Sequence, residues 1–466
     1  MASTYLTRNN GSAVTAERRT FTISVWLKRS AIGTEHAVCT AGNGGGSEEF
    51  ALRIRNDDTI EVWHYDGSSF VGRKRTNRVL RDMNAWYHIF CQYDTTESTA
   101  DDRIKFYING VRETSFADSV NPTSNDNTPW NVDERHQIGS SSWGNSGNGT
   151  NHFDGCMSHF YNVAGSIIDI SQFGETDSTT GEWKIKTNPT IASYGTAGFL
   201  VLKDGITVTD QSPNSNNFTV GGTLTKTEDC PSNNFCTMGT YARFNGTVSN
   251  GGNTLTTTQS NYRYQAGTIG VDRGKWYWEV KLSTLANYAL MGITDTISTP
   301  TTSNYILGSG SYDYSVYYGD GSTGGGNGHM YNGAGAGPNN TPGQFMAGFS
   351  QGDIVTFALD LDSATKKLYV GANGQWANGS NATNQTFSNS TGKSIVVPQN
   401  TNSGFYFPAG GDYSGNSDST LQFNFGNGYF GTTAVATAGT NASNNGIFEY
   451  DVPSGYTALC TKGLNS

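Results

Sequence analysis

Short segments in which apolar and polar residues alternate run through most of the chain. In residues 21–28 (FTISVWLK), every second residue from Phe21 to Leu27 is apolar. Residues 103–108 alternate in the same way and lead into an Asn-Gly pair, the strongest short-range signal for a hairpin. Short strands at fairly even spacing, with no helical period between them, predict an all-β protein built from sandwiches.

A second dense region of alternation begins near Gly274. Residues 275–282 (KWYWEVKL) and 353–361 (DIVTFALDL) each place their large apolar side chains on one face. Between them, residues 319–342 are rich in Gly and Asn and too poor in apolar residues to form core, which predicts a contact loop. The alternation loosens over 166–235. The pattern therefore predicts a first domain at 1–165, a connecting segment at 166–235 and a second domain at 236–466.

Composition is consistent with this division. A chain of 466 residues is too long for one core. Charged residues are only 15% of the chain and aromatic residues 12%, whereas disordered chains are rich in charge and poor in aromatics. The 59 glycines indicate many turns.

The charge balance argues against nucleic acid as a partner. The formal net charge is −10, and only Arg73, Lys74 and Arg75 form a local basic run, which we interpret as a solvated loop. There is also no apolar signal core and no long apolar run. We therefore expect neither secretion nor membrane insertion.

Cysteine and acidic residues give no metal motif. The six cysteines contain no C-x-x-C pair, Cys91 and Cys156 have the pattern of small buried hydrophobic residues, and a Cys230–Cys236 disulfide is disfavoured. Four aspartates have suitable chemistry for calcium but a spacing that fits no defined loop: Asp57, Asp58, Asp101 and Asp102. We expect no metal and no cofactor.

The first region resembles the laminin-G/concanavalin-like lectin modules of tailed-bacteriophage structural proteins. The resemblance is carried by residues 21–30 (FTISVWLKRS), 80–95 (LRDMNAWYHIFCQYDT), 103–110 (RIKFYING), 136–139 (HQIG) and 153–165 (FDGCMSHFYNVAG). The segment after it is similar to one that follows this module in phage proteins, in 172–176 (QFGET), 210–212 (DQS) and 216–218 (NNF).

The second region resembles an SPRY domain. The resemblance is carried by residues 274–280 (GKWYWEV), 292–295 (GITD), 317–321 (YYGDG), 352–362 (GDIVTFALDLD) and 423–426 (FNFG). In such families both modules act as binding or structural modules and do not catalyse reactions. The resemblance implies a non-enzymatic virion protein, namely a fibre, tail-appendage or capsid-decoration component. Its partners would be other virion proteins and a host surface glycan or receptor. The expected assembly is a homo-oligomer, with a trimer favoured.

The alternative is a glycan-degrading appendage, because lectin-like jelly rolls also host glycoside hydrolases. Retaining hydrolysis needs two carboxylates about 5–5.5 Å apart, often supplied by Glu-x-Asp-x-x-Glu on one strand. Glu175-x-Asp177 and Glu449-x-Asp451 both lack the third carboxylate. The nucleophile-elbow string at 348–352 precedes a strand where the elbow needs a helix, and His88 alternates within a strand as a structural histidine does.

Aromatic and amide side chains are the candidate contacts for a host surface or a glycan. Exposed aromatics suit stacking on sugar rings, although burial in the core is an equal alternative for each tryptophan. The candidates are Trp63, Trp130, Trp143, Tyr331, Asn332 and Trp376.

Overall fold

The computed structural model describes residues 4–9, 14–42, 48–141, 149–203, 208–239, 246–257, 263–285, 289–296, 306–318, 327–332, 344–412 and 418–464. Over these residues the fold is all-β, as the alternation predicts, and the α-helices α1 (Thr15–Arg19) and α2 (Thr461–Leu464) are short. No helix in these ranges is long and apolar enough to cross a membrane. The chain divides into two compact units: Met1–Lys226 with Cys230–Ser232, and Thr227–Asp229 with Asn233–Ser466.

The strands of the first unit are β1 (Tyr5–Asn9), β2 (Thr20–Arg29), β3 (His36–Gly42), β4 (Glu48–Ile54), β5 (Thr59–Asp66), β6 (Phe70–Val79), β7 (Tyr87–Asp94), β8 (Ile104–Ile108), β9 (Val111–Arg112), β10 (Phe116–Val120), β11 (Arg135–Ile138), β12 (Gly155–Ala164), β13 (Gly174–Thr176), β14 (Trp183–Ile185), β15 (Phe199–Val201) and β16 (Thr219–Gly221). Single 3₁₀ turns lie at Ala100–Asp102 and Ile170–Gln172.

Two antiparallel sheets form the first sandwich. One has eight strands in the order β10-β6-β5-β4-β3-β11-β1-β16, and the other has six in the order β15-β12-β2-β7-β8-β9. Every second residue of β2 from Phe21 to Leu27 is buried in the core between them, as the alternation predicts. Phe50, Phe106 and Trp130 fill the same core.

The segment predicted as a connection belongs largely to the first unit. Strand β15 pairs with β12, strand β16 pairs with β1, and β13 pairs with β14. Phe199 and Phe218 complete the sandwich core. The Glu17 carboxylate accepts hydrogen bonds from the backbone N–H groups of Thr196 and Ala197, which holds this segment beside α1. Three-residue strands are too short to show alternation, so the sequence pattern did not reveal this packing.

The strands of the second unit are β17 (Gly246–Ser249), β18 (Thr254–Thr257), β19 (Arg263–Ala266), β20 (Lys275–Thr284), β21 (Ala289–Thr294), β22 (Tyr314–Tyr317), β23 (His329–Asn332), β24 (Ile354–Asp360), β25 (Lys367–Ala372), β26 (Gln375–Ala377), β27 (Thr383–Gln385), β28 (Lys393–Ser394), β29 (Phe407–Asp412), β30 (Thr420–Asn424), β31 (Tyr429–Phe430), β32 (Thr433–Ala434) and β33 (Thr457–Ala458). Single 3₁₀ turns lie at Phe387–Asn389 and Pro398–Asn400.

The second unit is also a sandwich. Its larger sheet follows the order β17-β18-β30-β20-β24-β25-β26-β27, with β28 on β25 and β33 on β20, and its smaller sheet the order β19-β29-β21-β22-β23. Trp278 stacks on Phe357 within the core. On the other side of the larger sheet, Tyr277 packs against Phe448 of the C-terminal segment.

Candidate binding face

One side of the eight-stranded sheet is not part of the sandwich core and carries a cluster of charged residues. On β5, Ile60 and Val62 enter the core, so Glu61 and Trp63 point to the opposite side, which we call the outer face. Across the neighbouring strands, Glu61 lies opposite Arg53 on β4 and Arg75 on β6, and Trp63 lies opposite Ala51 and Arg73. The strand register therefore gathers these side chains into one surface.

Glu61 is the centre of an ion-pair network on the outer face. Its side chain is fully buried and accepts hydrogen bonds from Arg53 Nε at 2.7 Å, Arg55 Nη1 at 2.9 Å and Arg73 Nη2 at 2.7 Å. Burial works against the charged form, but these three arginines outweigh it and lower the pKa of Glu61. A carboxylate held by three guanidinium groups stays ionised and cannot supply a proton.

The interpretation of the basic run at 73–75 as a solvated loop is wrong. It lies within β6, where the alternation sends Arg73 and Arg75 to the outer face and buries Lys74 on the other side. Asp118 on the edge strand β10 pairs with both arginines, at 3.4 Å from Arg73 and 3.2 Å from Arg75. The positive charges of Arg73 and Arg75 are therefore paired with the protein's own carboxylates.

An aromatic group lies beside this network. The Phe70 ring is 5.3 Å from the Trp63 ring and 5.5 Å from the Tyr65 ring, in edge-to-face geometry with both. The Arg73 guanidinium lies over the Phe70 ring, 4.7 Å from its centre. Phe70 nevertheless remains 37% exposed, whereas Trp63 is 2% exposed beneath Arg53 and Phe70. The result is a fixed ring with accessible surface.

Glu49 and Glu61 on the outer face do not form a hydrolase pair. Glu49 and Arg53 are four residues apart on β4, about 13 Å along the strand, and Glu61 lies opposite Arg53. Glycosidase carboxyl groups are separated by roughly 5–9.5 Å. Burial also raises the pKa of Glu49 to about 8, while Arg53 and the Ser141 hydroxyl oppose this shift. Glu49 is therefore largely protonated at neutral pH and far from Glu61.

A serine–histidine pair in the first unit lacks the geometry for nucleophilic catalysis. Ser24 Oγ lies 2.8 Å from His88 Nε2, and both side chains are buried. His88 Nδ1 accepts a hydrogen bond from Trp183 Nε1 at 3.0 Å, so the proton of the neutral ring sits on Nε2 and is donated to Ser24. Burial lowers the pKa of His88 to about 3. His88 is a satisfied structural histidine, as its alternation suggests.

Most of the predicted contact residues lie in the interior. Trp130 packs against Phe50 and donates its indole N–H to Asn162. Trp376 on β26 is buried against Phe387. Of the two alternatives for these tryptophans, exposure or burial, the structure shows burial for both, because strands and turns distant in the sequence cover them. Trp63 is also buried, although it lies on the outer face directly beneath the exposed Phe70.

The predicted contact loop at 319–342 falls partly outside the described residues, at 319–326 and 333–342, and Trp143 lies outside them as well. The middle of the loop is strand β23, paired with β22. Met330 lies in the core and Tyr331 packs against Tyr317, so the expectation that this stretch contributes no core is wrong there. Asn332 ends β23 and is half-buried.

Phe70 is a partly exposed aromatic residue that sequence reasoning missed. It follows the turn 66–69 (DGSS), where the Asp66 carboxylate accepts hydrogen bonds from the N–H groups of Ser68 and Ser69. An apolar residue directly after such a turn is a weak signal of exposure. Trp63 and Tyr65, which contact the ring, come from the neighbouring strand β5, so their contribution cannot be read from the sequence around Phe70.

The aspartates with calcium-type chemistry are engaged in contacts within the chain. Asp57 pairs with Arg75, Asp58 with Arg29 and Arg81, Asp101 with Lys74, and Asp102 with Arg112. Within the described part of the chain, no three His, Cys, Asp or Glu side chains come together as a metal-ligand set.

Comparison with known proteins supports the fold of the first unit. Residues 2–164 match a family model described as the concanavalin A-like lectin/glucanases superfamily. No curated protein is significantly similar to the chain. Similar solved structures include the SPRY domain of human HERC1, with 18% identity over 38% of this chain and 91% of that chain and a TM-score of 0.27.

Two further solved structures are similar at low identity. The SAP-like pentraxin from Limulus polyphemus has 11% identity over 47% of this chain and 89% of that chain, with a TM-score of 0.30. The CBM40 of the Ruminococcus gnavus IT-sialidase, bound to α2,3-sialyllactose, has 15% identity over 34% of this chain and 81% of that chain, with a TM-score of 0.26.

Proposed function

We propose that the first unit is a non-enzymatic lectin-like module that binds glycan on its outer face, with Phe70 as the stacking platform. The observation that carries the proposal is the partly exposed Phe70 ring, held in place by Arg73 and by the edges of Trp63 and Tyr65. A fixed aromatic ring loses little conformational entropy when a ligand packs on it. The match of residues 2–164 to a lectin and glucanase superfamily supports a sugar as that ligand.

Binding is favoured over hydrolysis by the carboxylates of the same face. Glu61 and Asp118, which share Arg73, are both paired with arginines, and Glu49 is buried about 13 Å further along the strand direction. A glycosidase needs one carboxyl group that gives a proton and a second one close to it that stays ionised. Release of reducing sugars from host envelope material by the purified protein would contradict this part of the proposal.

We further propose that the chain is a bacteriophage virion component, in a fibre, a tail appendage or a capsid decoration, and assembles as a homo-oligomer with other virion proteins. This rests on the resemblance of the first unit, and of the segment 172–218, to phage structural proteins, with an SPRY-like unit after them. A map of the intact particle tests it. Density for both sandwiches at a host-facing tip would support an adhesin, density on the shell would support decoration, and absence from purified particles would refute a virion role.

The glycan-binding proposal is tested with a glycan array followed by calorimetry. Phe70→Ala should weaken binding about tenfold, because stacking on an aromatic ring contributes roughly 1–2 kcal/mol. The matched control is Val111→Ala, since Val111 is 55% exposed on β9, at the edge of the six-stranded sheet. Equal affinity of the Phe70→Ala variant and the unmodified protein for every array ligand would refute the proposed site.

A further inference from the structure

The positive and negative charges of the ionic network on the outer face are equal in number. Four arginines pair with four carboxylates through contacts of 3.4 Å or less, so the network as a whole is neutral. The arginines are Arg53, Arg55, Arg73 and Arg75, and the carboxylates are those of Glu35, Asp57, Glu61 and Asp118. An anionic ligand would have to displace one of these carboxylates or lie beside it unpaired, and both are costly.

The charges around the network also disfavour an anion. Asp66 opens the turn that precedes Phe70 and is exposed. Hydrogen bonds from the Ser69 and Ser68 backbone N–H groups and from the Ser68 hydroxyl lower the pKa of Asp66 to about 2. Asp66 is therefore ionised at neutral pH. The whole chain has a formal net charge of −10, which repels polyanions at long range.

The arginine that lies over the Phe70 ring is engaged by the protein's own carboxylates. Arg73 uses Nε and Nη2 for Glu61 and Asp118, and Asp118 uses Oδ2 for both of its arginines. The Asp118 side chain is 39% exposed, whereas the Arg73 side chain is 15% exposed. An acidic sugar at the Phe70 ring would therefore meet a paired guanidinium and an exposed carboxylate, whereas an uncharged sugar needs no free guanidinium.

We infer that the outer face selects an uncharged pyranose, which stacks its C–H face on the part of the Phe70 ring that Arg73 leaves exposed. This inference rests on the proposed glycan-binding function and adds the class of glycan. Uronates, sialylated sugars and sulfated sugars are rejected, because the arginines that would hold their acidic groups are already paired.

The experiment compares matched neutral and acidic sugars on the full chain. An array that presents neutral oligosaccharides beside their uronate, sialylated and sulfated counterparts identifies the ligands, and titration of a neutral galacto-oligosaccharide and an oligogalacturonate of equal length measures selectivity. We expect neutral ligands to bind at least about tenfold more tightly. Their affinity should change less than about twofold between 50 and 500 mM salt, because no ion pair forms on binding.

The variant Asp118→Asn tests whether the paired carboxylates are what excludes acidic sugars. It removes one negative charge, keeps the side-chain shape, and leaves the network with one excess positive charge. Its affinity for the oligogalacturonate should rise several-fold, while its affinity for the neutral ligand stays within about threefold of the unmodified protein. Equal melting temperatures of the two proteins would show that the fold is intact. An unchanged affinity for the acidic ligand would overturn the charge argument.

The outcomes separate the two proposals. Tighter binding of acidic ligands that is lost in Phe70→Ala would refute the inference and retain the glycan-binding site. The absence of any array ligand whose binding depends on Phe70 would refute both.

Discussion

At the scale of single residues, Glu49 couples the stability of the first unit to pH. Its carboxyl group is buried on β4, near Arg53 and Ser141, and burial raises its pKa from 4.5 to about 8. The folded state therefore disfavours the charged form. Its contribution to stability is greatest below pH 4.5, where the group is protonated in both the folded and unfolded states. This contribution falls as the pH rises from 4.5 to about 8 and is constant above that.

We predict that Glu49→Gln removes this dependence. Above pH 8 the variant should have a higher free energy of unfolding than the unmodified protein, and the difference should shrink by up to about 1.4 kcal/mol per pH unit as the pH falls towards 4.5. Urea unfolding of both proteins at each pH measures it. The other titrating groups are common to both proteins and cancel in the difference. A difference independent of pH would show that Glu49 is ionised in the folded state.

At the scale of elements, the end of the first sandwich is held by a buried ion pair. Asp58, in the turn before β5, lies 3.0 Å from Arg29 Nη2 of β2 and accepts a hydrogen bond from the backbone N–H of Gly33. The Arg29 and Asp58 side chains are almost fully buried. The same carboxylate binds Arg81 Nε at 2.9 Å, but the Arg81 side chain is 59% exposed. One carboxylate thus joins a buried and an exposed partner.

We predict that Asp58→Asn lowers the free energy of unfolding by about 3–5 kcal/mol, because it leaves the Arg29 charge buried without a counter-ion. Arg81→Ala is the matched control and should cost less than about 1 kcal/mol, since exposed ion pairs contribute little. Asparagine tolerates the positive φ of 68° at position 58, so backbone strain does not add to the loss of stability in Asp58→Asn. Equal losses in the two variants would contradict the role given to burial.

At the scale of the whole molecule, the fold depends on residues beyond the boundary that the pattern predicts at 165. Phe199 stacks near Phe160, and Leu200 and Phe173 cover Phe90 and Tyr161 on the far side of the six-stranded sheet. Trp183 packs so closely on Gly110 and Gly174 that a Cβ at either glycine would clash with it. The first sandwich is therefore incomplete without its C-terminal third.

We predict that a fragment of residues 1–232 is soluble and melts cooperatively, whereas a fragment of residues 1–165 aggregates. The shorter fragment lacks β15 and β16 and exposes aromatic side chains on two surfaces. Residues 233–466 should fold without the first unit. Circular dichroism and light scattering of the three fragments test this. Cooperative melting of the 1–165 fragment would restore the boundary that the alternation predicts.

The sequence alone determined the all-β class and the position of the major strands. The alternation at 21–28 and 275–282 lies within β2 and β20, because a period of two is a local property of an extended backbone with one buried face. The acidic net charge argued against nucleic acid as a partner before any geometry was known, since net charge is a property of composition.

Only the tertiary structure decided which side chains face solvent and which charges are free. Trp130 and Trp376 are buried by segments distant in the sequence, whereas Phe70 stays exposed because Arg73 covers only part of its ring. Arg73 and Arg75 of the basic run are neutralised by Glu61 and Asp118 from neighbouring strands. Such pairings are set by strand register, and register is fixed by long-range packing that no local pattern contains.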